Sequence, residues 1–433
     1  MMPAKIGKYR VERELGRGAT GVVYLGRDGF RGSPVAIKLA HQALLADPRR
    51  GPRYRHFLET EAALVGRLQH PHIVAVLDAE LDDLGGDAYI VMEYVDGESL
   101  EAYTAPDSLL PVREVIEIAF KCCNALDHAR QLGLIHRDIK PANLLRSRDG
   151  ELKLTDFGAA LALHSDQTQV LGLIGSPAYM SPEQVREAEL THQSDIFSLG
   201  VVLYELLAGR RPFQGDNDFA TIYKITHEQA PPLKTMRPEL PKALCAVVER
   251  ALAKRPTERH ADWQAFAAEL AGVARHLPRN SESASQLEQF NLLRAMPFFA
   301  GFPDVMLWEA LRLGSWHELP RGTELMREGC PGDSFYMLAR GRVEVSRHGW
   351  EIAELEPGVS IGEMAYLNPE ERVRTASVVA DTDIAVLKIR GDSLRQASPE
   401  LQTRFDKAFI RLLIERLQAT NRQLSDPDLD PLA

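Results

Sequence analysis

Hydrophobic and polar positions change their period twice along the chain. Over the first 90 residues, "YRVEREL", "GVVYLGR", "PVAIKLA" and "AYIVMEYV" are rich in Val, Ile and Tyr and are bounded by Gly, Asp and Pro. They predict strands. Among them, "RYRHFLETEAALVGRLQ" sets Phe57, Leu64 and Leu68 at helical spacing and predicts one helix. From about 111 to 270 the period is mostly helical. "VREVIEIAFKCCNALDHARQLG" stops at Gly133 and "SDIFSLGVVLYELLAG" at Gly209, residues that suit helix ends. A small strand-rich module ahead of a larger helical one predicts a cleft between them. Residues 272–290 turn polar, with Ser281, Ser283 and Ser285 after Pro278, as in a linker or an exposed helix start. Alternation returns over 320–390 in short runs with Gly-bearing turns, the pattern of a barrel or sandwich. A last stretch carries Phe405, Phe409, Leu412, Leu413 and Leu417, read together as one face of an amphipathic helix.

Bulk properties narrow the class. A chain of 433 residues exceeds one ordinary core, so two or three domains are expected. Hydrophobic residues at 45% and charged residues at 26% are ordinary for a soluble globular protein. A net charge of −10 argues against a broad nucleic-acid footprint, and no nucleic-acid partner is expected. The start, "MMPAKIGKYRVEREL", has no apolar run and does not read as a signal peptide. No stretch reaches the roughly 20 apolar residues of a membrane span. "SLGVVLYELLAGRRPF" carries Glu205 and two terminal arginines, and reads as a buried helix. A cytoplasmic protein follows as the expectation. Cys122 and Cys123 adjoin in a helical pattern, Cys245 and Cys330 are isolated, and no metal-ligand spacing is present. All four are expected as buried thiols in a reducing compartment.

The chemistry-bearing residues cluster in the first 270 positions. "LGRGATGVVYLG" has Gly16, Gly18 and Gly21, with Val23 after them. Glycine lets backbone N–H groups approach phosphate oxygens closely. The loop lies between two strand patterns, whereas a dinucleotide fold would open a helix on it. The next strand supplies Lys38 as a cation for phosphates, and Glu61 on the following helix could pair with it. "HRDIKPANLL" adds Asp138 as a proton acceptor for a hydroxyl, Lys140 to neutralise a phosphoryl group, and Asn143 as a neutral oxygen for a metal. "LTDFGAA" adds Asp156, a hard carboxylate suited to Mg²⁺.

Glycine loop, VAIK, HRD and DFG in this order resemble the protein-kinase family. This resemblance implies a bilobal kinase fold; with the second resemblance below, it implies an α+β chain in which a β-roll, or double-stranded β-helix, follows the kinase. It implies a kinase domain over 9–270, with an N-lobe to about 92, a hinge at 93–97 and a C-lobe over 98–270. It assigns ATP to Leu15, Gly16, Gly18, Gly21, Val23, Ala36, Lys38, Glu61, Met92, Glu93 and Val95. Asp138 and Lys140 become catalytic, and Asn143 and Asp156 hold Mg²⁺ or Mn²⁺. Glu183 of "SPE" pairs with Arg259, with Ser181 standing where the family has Ala, and Asp195 supports the catalytic loop. Lys140 and "GSPAYMSPE" look like serine/threonine kinases of bacterial type, with Ser176 near Asp138. Arg137 beside the catalytic Asp implies control by a loop phosphate, with Thr168 the first candidate and Ser165 the second.

The last third resembles cyclic-nucleotide-binding domains. "LLRAMPFFAGFPDVMLWEALRL" looks like their helical lead-in, "GDSFYMLARGRVEV" like their β-roll core, and "IGEMAYL…RTASVVA" like their phosphate cassette. This implies a linker over 271–290, a ligand domain over 291–420 and a tail over 421–433. Gly362, Glu363, Arg374 and Thr375 become site candidates for cAMP or cGMP, with Glu363 on the ribose hydroxyl, Arg374 on the cyclic phosphate and Thr375 near the base. The cassette departs from the family. Arginine follows glutamate by 374 − 363 = 11 positions rather than the usual nine, Val373 replaces a proline, and Arg372 sits at the usual offset. The module also follows the kinase, so a pseudosubstrate mechanism does not carry over. The expected function is transfer of the γ-phosphoryl group of MgATP to protein Ser or Thr hydroxyls under control of this module. The alternatives are a kinase whose second module only docks or dimerises, through the last helix, and a non-catalytic ATP-binding scaffold.

Overall fold

The computed structural model describes residues 2–18, 21–30, 32–47, 51–52, 58, 68–80, 88–157, 177–274, 276–277, 286–368 and 373–424. The chain divides into two compact units, Met1–Pro278 and Arg279–Ala433.

The first unit opens with an antiparallel sheet of β1 (Lys5–Ile6), β2 (Tyr9–Arg17), β3 (Gly21–Asp28), β4 (Pro34–Ala40), β5 (Val76–Glu80) and β6 (Tyr89–Glu93), in spatial order β1-β2-β3-β4-β6-β5. Strand alternation sorts its residues by face. Val22, Tyr24, Val35, Ile37 and Val91 enter a core with Ile6, Tyr9 and Tyr89. Their neighbours Val23, Ala36, Lys38 and Met92 are therefore turned to the other face. There Val23 lies opposite Lys38 and Ala36 opposite Met92. The helix expected over 53–69 falls mostly outside the described residues.

The helical part follows β7 (Gly97–Ser99). Its helices are α1 (Val112–Gln131), α2 (His192–Ala208), α3 (Asp218–His227), α4 (Lys242–Ala251) and α5 (Trp263–Ala274). Helix α2 is apolar almost all round and accordingly buried along nearly its whole length. Thr191 caps its start through a capping box, and Gly209 ends it at φ 70°. Strands β8 (Leu144–Ser147) and β9 (Leu152–Leu154) form a short hairpin. That hairpin returns the chain so that Thr155 N–H donates to the Asn143 carbonyl at 3.0 Å. Two motifs separated in sequence thus become neighbours.

The second unit begins with α6 (Gln286–Ala295) and α7 (Asp304–Leu313). Helix therefore reaches into the segment expected as linker from both ends. Next come β10 (Gly314–Leu319), β11 (Glu324–Met326), β12 (Ser334–Arg340), β13 (Val343–Arg347), β14 (Trp350–Leu355), β15 (Ser360–Ile361), α8 (Met364–Leu367), β16 (Ser377–Ala380), β17 (Ile384–Arg390) and α9 (Pro399–Leu424). Two four-stranded sheets, ordered β10-β17-β12-β15 and β11-β16-β13-β14, close around Leu338, Val343, Ile361, Val378 and Val386. Phe405 and Phe409 of α9 are fully buried against Phe298 and Phe335. Each such burial is worth about 1.5–3 kcal/mol.

Two expectations change here. The apolar stripe of α9 is not one face: Leu413 and Leu417 are 37% and 61% exposed. At about 100° per residue they lie some 80–120° round the helix from Phe405. Cys122, Cys123 and Cys245 are buried, but Cys330 is exposed, in the turn between β11 and β12. Among the described residues, no helix is long and apolar enough to cross a membrane.

Candidate active site

In the first unit the Lys38 ammonium meets Asp156 Oδ1 at 2.6 Å. Burial pushes the Asp156 carboxyl up, but the charge and hydrogen bond of Lys38, with His136 and Lys140, outweigh it, and the net value lies below the ordinary 3.8. This carboxylate is held ionised and aimed at positive charge. Asp138 is linked to this Lys38–Asp156 pair through Asn143, whose carbonyl accepts from the N–H of Thr155, the residue before Asp156. Asp138 Oδ2 accepts from Lys140 Nζ at 2.7 Å and from Asn143 Nδ2 at 3.0 Å. Asn143 Nδ2 also donates to the Asp138 carbonyl at 2.8 Å. With the amide nitrogen so anchored, the amide oxygen is turned the other way.

The loop bearing Asp138 is fixed from below. Asp195, buried in α2, accepts from the backbone N–H groups of His136 at 2.7 Å and Arg137 at 2.8 Å. Burial pushes the Asp195 carboxyl up, and those N–H groups with His136 and Arg137 offset it only in part. Arg137 and Asp156 both hold left-handed backbone, φ 66° and 65°, unusual for residues with a side chain. Such strain persists only where surrounding bonds enforce it. The Arg137 Nε is buried with no hydrogen-bond partner among the described residues. Ser181 explains its departure from alanine: its hydroxyl accepts from Gln184 N–H at 3.3 Å, and Gln184 Oε1 accepts from Ser181 N–H at 2.9 Å.

Leu15, Gly16 and Gly18 lie on β2 and just beyond it, and Gly21 and Val23 on β3. Ala36 and Lys38 lie on β4, Met92 and Glu93 end β6, and Val95 follows. Glu61, Thr168, Ser165 and Ser176 lie outside the described residues, and with them the expected Lys38–Glu61 pairing. Sequence reading missed the Glu93 side chain. It takes Lys153 Nζ of β9 at 2.8 Å and Ala75 N–H at 3.3 Å, bracing the strand end against the helical part. Nothing in local spacing signals a contact across 60 residues.

In the second unit, Arg374 is 8% exposed. Its Nη1 donates to the Gly362 carbonyl at 3.2 Å and its Nη2 to the Ser334 carbonyl at 2.6 Å. Its backbone is clamped by N–H donation to the Cys330 carbonyl and by a bridge between Pro331 and Val373. A Cβ added to Gly332 or Gly362 would strike the guanidinium, so two bare backbones form its slot. Burial lowers its pKa, partly countered by Tyr336 and Asp333. Glu363, 3% exposed, follows Gly362 directly, and Ser360 Oγ donates to it at 3.3 Å. Thr375 is exposed, and Arg372 lies outside the described residues. The cassette helix α8 is tied to α9, since Tyr366 Oη donates to Asp406 Oδ1 at 3.1 Å. The sequence reading placed Gly332 at a turn of the β-roll but singled out neither Ser334 nor Tyr366.

Comparison with known proteins gives two family matches: a protein kinase domain over residues 9–269 and a cyclic nucleotide-binding domain over 316–398. A probable serine/threonine-protein kinase PknB of Lactococcus lactis is 40% identical over 266 residues, covering 61% of this chain and 42% of that protein. The serine/threonine-protein kinase PknB of Mycolicibacterium smegmatis is 38% identical over 296 residues, covering 67% and 47%. The crystal structure of the Mycobacterium tuberculosis PknI kinase domain aligns with TM-score 0.50 and 31% identity, over 63% of this chain and 99% of that one. The chain thus spans less than half the length of these two PknB relatives.

Proposed function

The chain belongs to the protein kinase family, and from that premise we propose that it transfers the γ-phosphoryl group of ATP to Ser or Thr hydroxyls of proteins, itself included. The observation that carries this reading is the linked set of contacts Lys38–Asp156 and Asp138–Lys140–Asn143, joined where Thr155 N–H donates to the Asn143 carbonyl. The donor set fits a hard divalent cation: an ionised carboxylate in Asp156 and an amide oxygen in Asn143, freed by its anchored nitrogen. Mg²⁺ or Mn²⁺ with ATP would supply the phosphoryl group and neutralise its charge.

The protein's own residues then have distinct tasks. Lys38 holds phosphate oxygens from the sheet side. Val23, Ala36 and Met92 enclose the base, with Leu15 above it and the backbone of Glu93 to Val95 at its edge. The Gly16, Gly18 and Gly21 backbone covers the phosphates. Asp138 uses its remaining oxygen to orient the acceptor hydroxyl and take its proton, while Lys140 stands by the oxygens on which charge builds. Asp195 keeps the loop in the strained backbone that this geometry requires.

The second unit is a cyclic nucleotide-binding domain by family match, and we infer that it takes cAMP or cGMP to regulate transfer. Arg374 supports this. It is a buried cation that makes no ion pair among the described residues, its burial only partly countered by Asp333, and such a cation favours an anion. Glu363 would receive the ribose hydroxyl and Thr375 the base. The Tyr366–Asp406 bond offers a route from cassette to C-terminal helix. A second reading, dimerisation through α9, is supported by the exposed Ile410, Leu413, Ile414 and Leu417.

The test is incubation of the full chain with labelled ATP and Mg²⁺. Label should appear on Ser or Thr, and Asp138→Asn should lower the rate about 10²–10⁴-fold while still binding nucleotide. Normal self-phosphorylation by that variant removes Asp138 as base. Failure of the wild type to label itself or any protein favours the scaffold reading.

A further inference from the structure

We propose that His41 is a positioning residue for the glycine-rich loop, holding the loop's Gly18 carbonyl and so tightening nucleotide binding. The inference rests on the kinase reading of this cleft. His41 directly follows the last residue of β4, whose Ala40 lies opposite Gly21 in the ladder with β3. That register brings the ring to Gly18, just past the end of β2. The His41 Nε2 lies 3.0 Å from the Gly18 carbonyl oxygen. A carbonyl only accepts, so this nitrogen carries the hydrogen, in the Nε2–H tautomer or in the imidazolium.

Gly18 is then held at both of its peptide groups. Its N–H donates to the Gly21 carbonyl at 2.9 Å, and its carbonyl accepts from His41. The first bond lies within the loop and shapes it. The second ties the loop to β4, the strand that carries Lys38. The covering loop is thereby anchored just past the end of β4, three residues beyond the phosphate-holding Lys38. A glycine-rich loop otherwise loses much conformational freedom when it closes over a ligand. Holding it beforehand reduces that loss, which is how preorganisation raises affinity.

One solvent-exposed hydrogen bond corresponds to roughly three- to tenfold in affinity. Calorimetric titration of the full chain with MgADP, with initial rates at varied ATP, measures it. His41→Ala should weaken MgADP binding and raise KM for ATP by roughly three- to tenfold, with kcat changed less than about twofold. His41→Gln, whose amide N–H can still reach a carbonyl, should recover most of the loss. A merely structural role would not give this split or this rescue. Wild-type affinity in His41→Ala overturns the proposal, as does a His41→Gln variant as weak as His41→Ala. If the wild type itself binds no MgADP, the kinase reading fails and takes this inference with it. Tight wild-type binding that ignores His41 overturns the inference alone.

Discussion

Arg259 and Glu183 meet fork to fork inside the helical part, Nη1 on Oε1 at 2.6 Å and Nη2 on Oε2 at 2.9 Å. The Arg259 side chain is fully buried and also donates to the carbonyls of Ala253, Gln193 and Lys254. Removing one partner strands the other charge, which costs about 3–5 kcal/mol. Glu183→Gln should therefore lower the denaturant midpoint substantially, and a loss below about 1 kcal/mol would contradict this. Burial pushes the Glu183 carboxyl up, but the Arg259 hydrogen bonds and charge, with Ser194, leave it below the ordinary 4.5. A depressed carboxyl stabilises the fold fully above its unfolded value and loses that contribution as pH falls through the folded one. Stability of the wild type should drop below pH 4.5 more steeply than that of Glu183→Gln.

Arg137 carries a buried Nε with no partner among the described residues, on the loop that holds Asp138. A phosphate on the segment after Asp156 would give it a charge-assisted partner. Progress curves of unphosphorylated wild type should accelerate with time. Thr168→Ala should stay at the initial rate, at least about tenfold below the wild-type plateau, the equivalent of one such bond. Full acceleration in Thr168→Ala shifts the assignment to Ser165. A wild type with no lag removes the mechanism.

Arg374 should dominate ligand binding by the second unit. Titration of the full chain with cAMP and cGMP should show binding that Arg374→Ala weakens at least about thirtyfold, since truncating one side of a buried charge pair costs 2–5 kcal/mol. Thr375→Ala should affect cGMP more than cAMP. Equal binding by wild type and Arg374→Ala would point to Arg372 or another ligand. Absence of binding in the wild type would favour a docking or dimerisation role.

The outward half of the α9 stripe makes a separate claim. If a second copy covers Ile410, Leu413 and Leu417, sedimentation should give a concentration-dependent dimer. Leu417→Asp should weaken it by at least about tenfold, since a buried Leu contributes about 1.5–3 kcal/mol per chain. A wild type that stays monomeric at about 100 µM, where even a weak specific pair would associate, rules the dimer out.

Period-two alternation made the strands legible. The same pattern that buries Val35 and Ile37 turns Ala36 and Lys38 to the other face. Asp138, Lys140 and Asn143 are neighbours within five residues, so local spacing alone suffices for their contact. Contacts made by the tertiary fold left no such trace: Glu93 on Lys153, Arg374 on Ser334, and Tyr366 on Asp406. The stripe of α9 misled because apolar residues at 405–417 satisfy a helical period while covering more arc than the β-roll can bury. Cys330 misled because cysteine is usually buried, whereas this one sits in a turn set by its neighbours Gly329 and Pro331. Residues 271–290 read as linker by composition, yet helices enter from either side, since serines and charges also suit exposed helix ends.

The bare backbones of Gly332 and Gly362 both lie against the Arg374 guanidinium, where a side chain on either would collide with it. A single methyl at position 332 would overlap the guanidinium and force it to shift while leaving every charge in the unit unchanged. If the unit takes an anionic ligand through Arg374, bulk alone would then weaken that binding. That separates loss of ligand from loss of electrostatics, a distinction no substitution of the arginine itself can make.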